Sequence, residues 1–245
     1  MAMKYIEAVR LEKAISARSY LNSIPAIQWL RDTYELAFNK PVTFFVGENG
    51  TGKSTLLEGI AVACGFNPEG GGRNFNFSTS DTHSELCDLL TISRSAYFRD
   101  SFFLRAESVY NTATHIEEMD KLPIGPKASD SYGGSLHLKS HGESFMAIIE
   151  KRLCGNGLYI FDEPEAALSP TRQLELLGHI RRLERENSQL IIATHSPILM
   201  AYPDAEILRF SEYGIMPVSY KQTEHYQITK QFLDCPERML KLILG

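Results

Sequence analysis

Residues 47–55 read Gly-Glu-Asn-Gly-Thr-Gly-Lys-Ser-Thr, which is the spacing G-x-x-x-x-G-K-[ST]. Gly47, Gly50 and Gly52 allow consecutive backbone N–H groups to turn inward. Those amides, with the positive end of a helix behind them, form a concave anion site. Glu48, Asn49, Thr51 and Thr55 complete the loop, so the whole stretch is assigned to phosphate binding. Lys53 is placed to reach the β- and γ-phosphates, and the Ser54 hydroxyl to ligate Mg²⁺. Two further groups carry chemistry. Asp162 and Glu163 directly follow an apolar run at 158–161. Asp162 suits Mg²⁺, through water, and Glu163 suits the orientation or deprotonation of an attacking water. His195, in Thr194-His195-Ser196-Pro197, follows a second apolar run and is placed to sense a γ-phosphate by hydrogen bonding. Ser196 reads as an N-cap with Pro197 at the first helical position. Together Lys53, Glu163 and His195 are the candidate catalytic set.

These groups need elements to hold them. Residues 42–46 are β-branched and aromatic and read as a buried strand; Leu56, Leu57, Ile60 and Ala61 then recur at helical spacing, with Gly65 as the stop. Residues 158–161 and 189–194 read as further core strands, and 170–187 as a helix with Leu174, Leu177, Ile180 and Leu183 on one face. The C-terminal edge of such strands is where ligands bind in open α/β sheets. A first strand is expected at 4–11 and a helix at 24–38 begun by Pro25. Further strands are expected at 86–92 and 101–104, and helices at 145–153 and 231–244, the last packed on the core. Residues 66–80 suggest a turn and an irregular edge. The polar stretch 111–139, with Pro123, Gly125, Pro126, Gly133 and Gly134, reads as a mobile segment. Alternation of strands and helices predicts a parallel α/β sheet.

The chain has 245 residues, 43% of them hydrophobic, enough for a sizeable core. A net charge of −5 gives no global basic field for nucleic acid or acidic membranes. Cys64, Cys87, Cys154 and Cys235 form no C-x-x-C pair and read as reduced, mostly buried thiols of a cytoplasmic protein. No signal peptide or membrane-spanning run is read in the sequence. His137 and His141 are spaced H-x₃-H without further ligands and read as solvated histidines, not a zinc site. Arg181, Arg182 and Arg185, interleaved with Glu184 and Glu186, read as a solvated helix face, and Arg73 as an exposed loop residue. Asn39-Lys40-Pro41-Val42 lacks the Asp of a guanine-reading N-K-x-D, which disfavours GTP.

Residues 47–54, 158–165 and His195, in that order, resemble the ATPases of the ATP-binding-cassette (ABC) superfamily: a Walker A loop, an extended Walker B strand and a switch histidine. The superfamily's signature loop is matched in place by Ser140-His141-Gly142-Glu143-Ser144, with His141 where the first signature glycine usually stands. Glu107 is the candidate for the loop position that usually holds a metal-ligating Gln. Ala166-Ala167-Leu168-Ser169 lacks the Asp common at its last position. The resemblance implies a three-layer P-loop NTPase core of mostly parallel sheet. It implies one domain over residues 1–245, with a core lobe at about 1–80 and 145–245 and a smaller helical or mixed lobe at about 81–144. It also implies ATP and Mg²⁺ as ligands, with Ser54, Asp162 and Glu107 at the metal. Two chains would close head to tail over ATP, with Ser140, Gly142 and Glu143 of one chain meeting the nucleotide of the other. The output would act on a soluble effector or nucleic acid; the alternative is the nucleotide-binding subunit of an ABC transporter.

Overall fold

The computed structural model describes residues 3–72, 85–106, 109–121 and 127–245. Arg73, most of the irregular edge expected at 66–80, Glu107, Pro123, Gly125 and Pro126 lie outside the described residues.

The described strands are β1 (Ile6–Leu11), β2 (Glu35–Ala37), β3 (Val42–Gly47), β4 (Leu90–Arg94), β5 (Asp100–Arg105), β6 (Gly157–Asp162), β7 (Gln189–Ala193), β8 (Glu206–Ser211) and β9 (Gly214–Pro217). Six of them form a sheet in the order β5-β6-β7-β3-β8-β9, parallel except for β9. The parallel strands are apolar on both faces because both faces are covered. Val42, Phe44 and Val46, with Tyr159, Phe161, Leu190 and Ile192, face one core; Phe45, Leu158, Ile160, Ile191 and Ala193 face the other. The described helices are α1 (Pro25–Thr33), α2 (Lys53–Ala63), α3 (Val109–Asp120), α4 (His141–Ala147), α5 (Pro170–Arg185), α6 (Glu224–Asp234) and α7 (Pro236–Leu244). Residues of α3, α4 and α5 fill the first core, those of α1 and α2 the second. The result is a mostly parallel three-layer α/β core.

A second, antiparallel sheet runs β2-β1-β4. Buried Gln189, at the start of β7, joins it to the main sheet. Its Oε1 accepts from the Tyr5 and Ile6 N–H groups (2.7 and 2.8 Å), and its Nε2 donates to the Ile6 carbonyl (3.0 Å).

Several elements differ from expectation. The helix read over 24–38 stops at Thr33, because Tyr34 takes left-handed backbone (φ 65°) and Glu35–Ala37 then pairs with β1. The stretch read as mobile carries α3, whose buried Val109, Ala113 and Ile116 sit at helical spacing. The helix expected at 145–153 begins earlier, at the cap Ser140, and loosens into a π-turn over Ile148–Arg152. Strand β4 starts at Leu90, after a 3₁₀ turn at Glu85–Asp88. Strands β4 and β5 fall within the span assigned to a smaller lobe, yet they belong to the two sheets. On α5 the buried face is Gln173, Leu176, Ile180 and Leu183, while Leu174 is exposed. The terminal stretch is two helices rather than one core helix. No described residue of α6 or α7 is buried, and Leu233, Leu242, Ile243 and Leu244 are exposed. The four cysteines are free, with Cys64 buried but Cys154 and Cys235 exposed. Among the described residues no helix is long and apolar enough to cross a membrane.

Candidate nucleotide site

Strand register assembles the site. Arg105 pairs with Asp162 across β5 and β6, and Asp162 with Ala193 across β6 and β7; Phe45 of β3 also pairs with Ala193. The chain segments that follow β3, β6 and β7 therefore leave the sheet at one edge, and they carry Lys53, Glu163 and His195.

The loop after β3 turns through Gly47 (φ 135°), Gly50 (φ 80°) and Gly52 (φ 98°). At Gly47 the need is absolute, since an added Cβ would lie 2.1 Å from the Phe210 carbonyl oxygen of β8. Lys53 opens α2 and is buried; its Nζ donates to the Gly47 and Glu48 carbonyls at 2.7 and 2.9 Å. Burial pushes its ammonium below the usual lysine range, against the opposing pull of Glu163, Asp162, Glu48 and Glu165. At the next residue, Ser54 Oγ donates to Asp162 Oδ1 at 3.0 Å. Asp162 is buried at the end of β6, and Arg105 Nε stands 3.5 Å from its other oxygen. Arg105 also pairs with Glu58 at 2.8 Å. Ser54, Arg105, Asp162 and Glu163 line a cleft of about 280 Å³.

Glu163 holds a left-handed backbone (φ 48°), and its N–H donates to the Ala193 carbonyl at 3.0 Å. For a residue with a side chain this geometry costs about 1–2 kcal/mol. It aims the carboxylate across to β7: Glu163 Oε1 lies 3.6 Å from His195 Nε2. His195 Nδ1 lies 2.9 Å from Nε2 of His225, on α6. Burial, and then the nearby Lys53 charge, push His195 below the usual imidazole range, with Glu163 and Glu48 opposing. The His195 backbone is pinned by Glu165. That carboxylate accepts from the His195 N–H at one oxygen and from Thr194 Oγ1 (2.8 Å) at the other. Ser196 Oγ accepts from the Ile198 and Leu199 N–H groups and its own hydroxyl donates to buried Gln173, but Pro197 opens no helix: the next element is a 3₁₀ turn at Leu199–Ala201 with Ile198 at its N-cap.

Ser140 caps α4 in a reciprocal arrangement: its N–H donates to Glu143 Oε2 (2.8 Å) while its Oγ accepts from the Glu143 N–H (3.4 Å). Gly142 sits where a Cβ would lie 2.8 Å from the Ala167 carbonyl oxygen, in the loop after β6. His141 is exposed, as expected, and its Nε2 also hydrogen-bonds the Ala106 carbonyl at 2.9 Å, which ties α4 to the end of β5. His137 is likewise engaged, with Thr114 Oγ1 at 3.2 Å and the Tyr110 ring.

The structure thus gathers Lys53, Ser54, Asp162, Glu163 and His195 at one sheet edge and leaves Ser140, Gly142 and Glu143 on a separate helix start. Sequence reasoning passed over Arg105, Glu165 and His225. The acidic pattern Asp-Glu-Pro-Glu holds a signal for Glu165. Nothing local singles out Arg105 or His225.

Two family models match the chain. A family model described as an AAA domain matches residues 21–125, across the phosphate loop. A second, described as AAA domain, putative AbiEii toxin, Type IV TA system, matches residues 139–201, across Asp162, Glu163 and His195. An uncharacterized ABC transporter ATP-binding protein of Haemophilus influenzae is 26% identical, over 64% of this chain and 65% of its own length. The chain therefore spans just under two thirds of that relative. Among solved structures, cbiO1 from Clostridium perfringens, part of the ABC transporter complex cbiONQ, is 18% identical, with a TM-score of 0.48 over 99% of this chain and 100% of its own. The dimeric post-hydrolysis state of the ATP-binding cassette MJ0796, bound to ADP and Pi, is 15% identical, with a TM-score of 0.44 over 77% of this chain and 90% of its own. Two AAA-domain models thus match, in order along the chain, the two stretches that carry the nucleotide site, and the chain is similar to an ATP-binding protein of ABC transporters.

Proposed function

We propose that the chain binds ATP with Mg²⁺, hydrolyses it, and uses the cycle to close and open a head-to-tail pair of its own copies. The observation that carries this reading is the meeting of Ser54 Oγ and Asp162 Oδ1 at 3.0 Å, beside a buried Lys53 and the Glu163–His195 pair. A hydroxyl and a carboxylate, both hard oxygen donors, fit Mg²⁺, which prefers few protein ligands plus water and phosphate oxygens. When bound, the ion would supply positive charge that offsets the charge developing on the phosphates. Ser54 and Asp162 would hold it, with Arg105 beside the Asp162 carboxylate. The residues of 47–55 would cradle the phosphates with their N–H groups, and Lys53 would exchange its carbonyl partners for phosphate oxygens. Glu163 would accept a proton from the attacking water, and His195 would donate to the γ-phosphate.

In this reading one ATPase domain spans the chain. The start of α4, with Ser140, Gly142 and Glu143, meets the γ-phosphate held by the opposite copy. Hydrolysis removes the shared charge and releases the pair. The open copies then act on a soluble effector or nucleic acid. A second reading, as the nucleotide-binding subunit of a transporter, is favoured by the name of the Haemophilus influenzae relative.

The test is Glu163→Gln with Mg²⁺ and ATP. The variant is expected to bind ATP, to lose turnover by about 100-fold or more, and to elute as a dimer. A variant that hydrolyses at the native rate, or stays monomeric when saturated with ATP, overturns the reading. Affinity capture with the same ATP-loaded variant separates the two outputs: an integral membrane partner supports the transporter reading, a soluble protein or nucleic acid the first.

A further inference from the structure

His195 is not a lone sensor. His225, the second residue of α6, brings Nε2 to 2.9 Å from His195 Nδ1, with ring centroids 5.0 Å apart. The start of α6 is well held. Thr223 is fully buried, its Oγ1 donates to the Tyr220 carbonyl (2.7 Å), and it accepts from the Tyr226 N–H. His225 is therefore delivered to His195 by an anchored helix start.

A neutral imidazole carries one N–H, so an N–N pair at this distance forms in only one of two senses. In the first, His225 Nε2–H donates to a bare His195 Nδ1, which puts the His195 proton on Nε2. In the second, His195 Nδ1–H donates to His225, and His195 Nε2 is a bare lone pair. The surroundings choose between them. His195 Nε2 is buried, makes no hydrogen bond, and has the Glu163 carboxylate at 3.6 Å. Glu48 also bears on both rings, and Glu224 on His225. A lone pair on Nε2 facing the Glu163 carboxylate is repelled, whereas an N–H is attracted. Burial first, and the Lys53 charge after it, hold both rings below the usual imidazole range, so above about pH 6.5 the pair is neutral.

We propose that His225 is a positioning residue that fixes His195 as the Nε2–H tautomer, so that its one buried, unmatched donor is directed at a phosphate oxygen. This rests on the ATPase reading for its use, though not for its geometry. Without nucleotide the donor is unsatisfied, and a γ-phosphate oxygen would satisfy it. With ADP the donor loses its acceptor, so the His195–His225 link couples the presence of the terminal phosphate to the start of α6.

The test uses the full chain. Histidine ¹⁵N–¹H correlation spectra of the native protein are expected to show His195 protonated at Nε2. In His225→Leu that fixed tautomer is expected to be lost, and kcat to fall about 10–100-fold, as when the orienting partner of a ligand histidine is removed; KM for ATP should change less than about threefold. His225→Gln places an amide N–H where Nε2–H stood and is expected to recover the tautomer and most of kcat, while the shorter His225→Asn is not. An Nδ1–H tautomer in the native protein overturns the inference, even should the variants fail to fold. So does a His225→Leu enzyme as fast as the native one, or equal impairment of the Leu and Gln variants. A native chain that shows the expected tautomer yet never hydrolyses ATP overturns the ATPase reading instead and leaves the His225 geometry standing.

Discussion

Glu165 does at residue scale what a metal or disulfide does in other sites: it fixes a loop that has no regular structure of its own. Its two oxygens take the Thr194 hydroxyl and the His195 N–H, and burial holds its carboxyl above the usual range, partly offset by those same hydrogen bonds. Asp162 is different, since its carboxylate takes the Ser54 hydroxyl and Arg105 at the site itself and, as a hard oxygen donor, suits a cation. Removing Glu165 therefore costs order before it costs chemistry. Glu165→Ala leaves two donors without acceptors, each worth about 1–3 kcal/mol when buried. The urea midpoint is expected to drop by a corresponding amount with an unchanged m-value, and kcat to fall with it because His195 is no longer held. A Glu165→Ala protein with native stability would show that the loop is fixed by β7 alone.

At the scale of elements, what could be read in the sequence was what is encoded locally. The phosphate loop, β3, β6, β7 and α2 each combine a continuous apolar run or helical period with a glycine or acidic stop, and all stand where expected. Helix α3 was hidden by polar neighbours, although Val109, Ala113 and Ile116 keep its period. The end of α1 was hidden because Tyr34, not glycine, takes the left-handed turn. His225 and Arg105 were hidden because their partners come from other strands and helices, His225 lying 30 residues beyond His195. The start of α4 shows the same dependence on distant partners. His141 interrupts a glycine-rich pattern and looks like a defect, yet it bonds the Ala106 carbonyl at the end of β5. Gly142 beside it has no left-handed backbone and is needed for a close approach, because its missing Cβ leaves room for the Ala167 carbonyl. Gly142→Ala is expected to push α4 away from the loop after β6. On the dimer reading, single-copy ATP affinity should stay within about threefold while ATP-driven dimerisation and turnover fall by about tenfold or more. Native dimerisation by Gly142→Ala would remove this helix start from the proposed interface.

At the scale of the whole molecule, distant parts of the chain are drawn to β7. Gln189 at its start binds the β1 backbone, and His195 beyond its end meets α6. Histidines lie along this arrangement, and their burial sets a pH dependence. His179, His195 and His225 are all held below the usual imidazole range, each first by burial. For His179 burial outweighs the Glu150 carboxylate 3.6 Å away. Above about pH 6.5 these rings are neutral in both folded and unfolded chains, so they contribute no pH dependence. As pH falls through that value the unfolded chain binds protons that the folded one refuses. More protons on the unfolded side means that stability rises with pH, hence falls on acidification. Glu165, held above the usual carboxylate range, works in the opposite sense at lower pH, but it is one group against three. The urea midpoint is expected to be lower at pH 5.5 than at pH 7.5 with m unchanged, each histidine contributing at most about 1.4 kcal/mol per pH unit in its window. His179 stands apart from the nucleotide site and so gives the clean check. His179→Gln should reduce the difference between the two midpoints, and an equal or larger difference would mean that the loss of stability has another source.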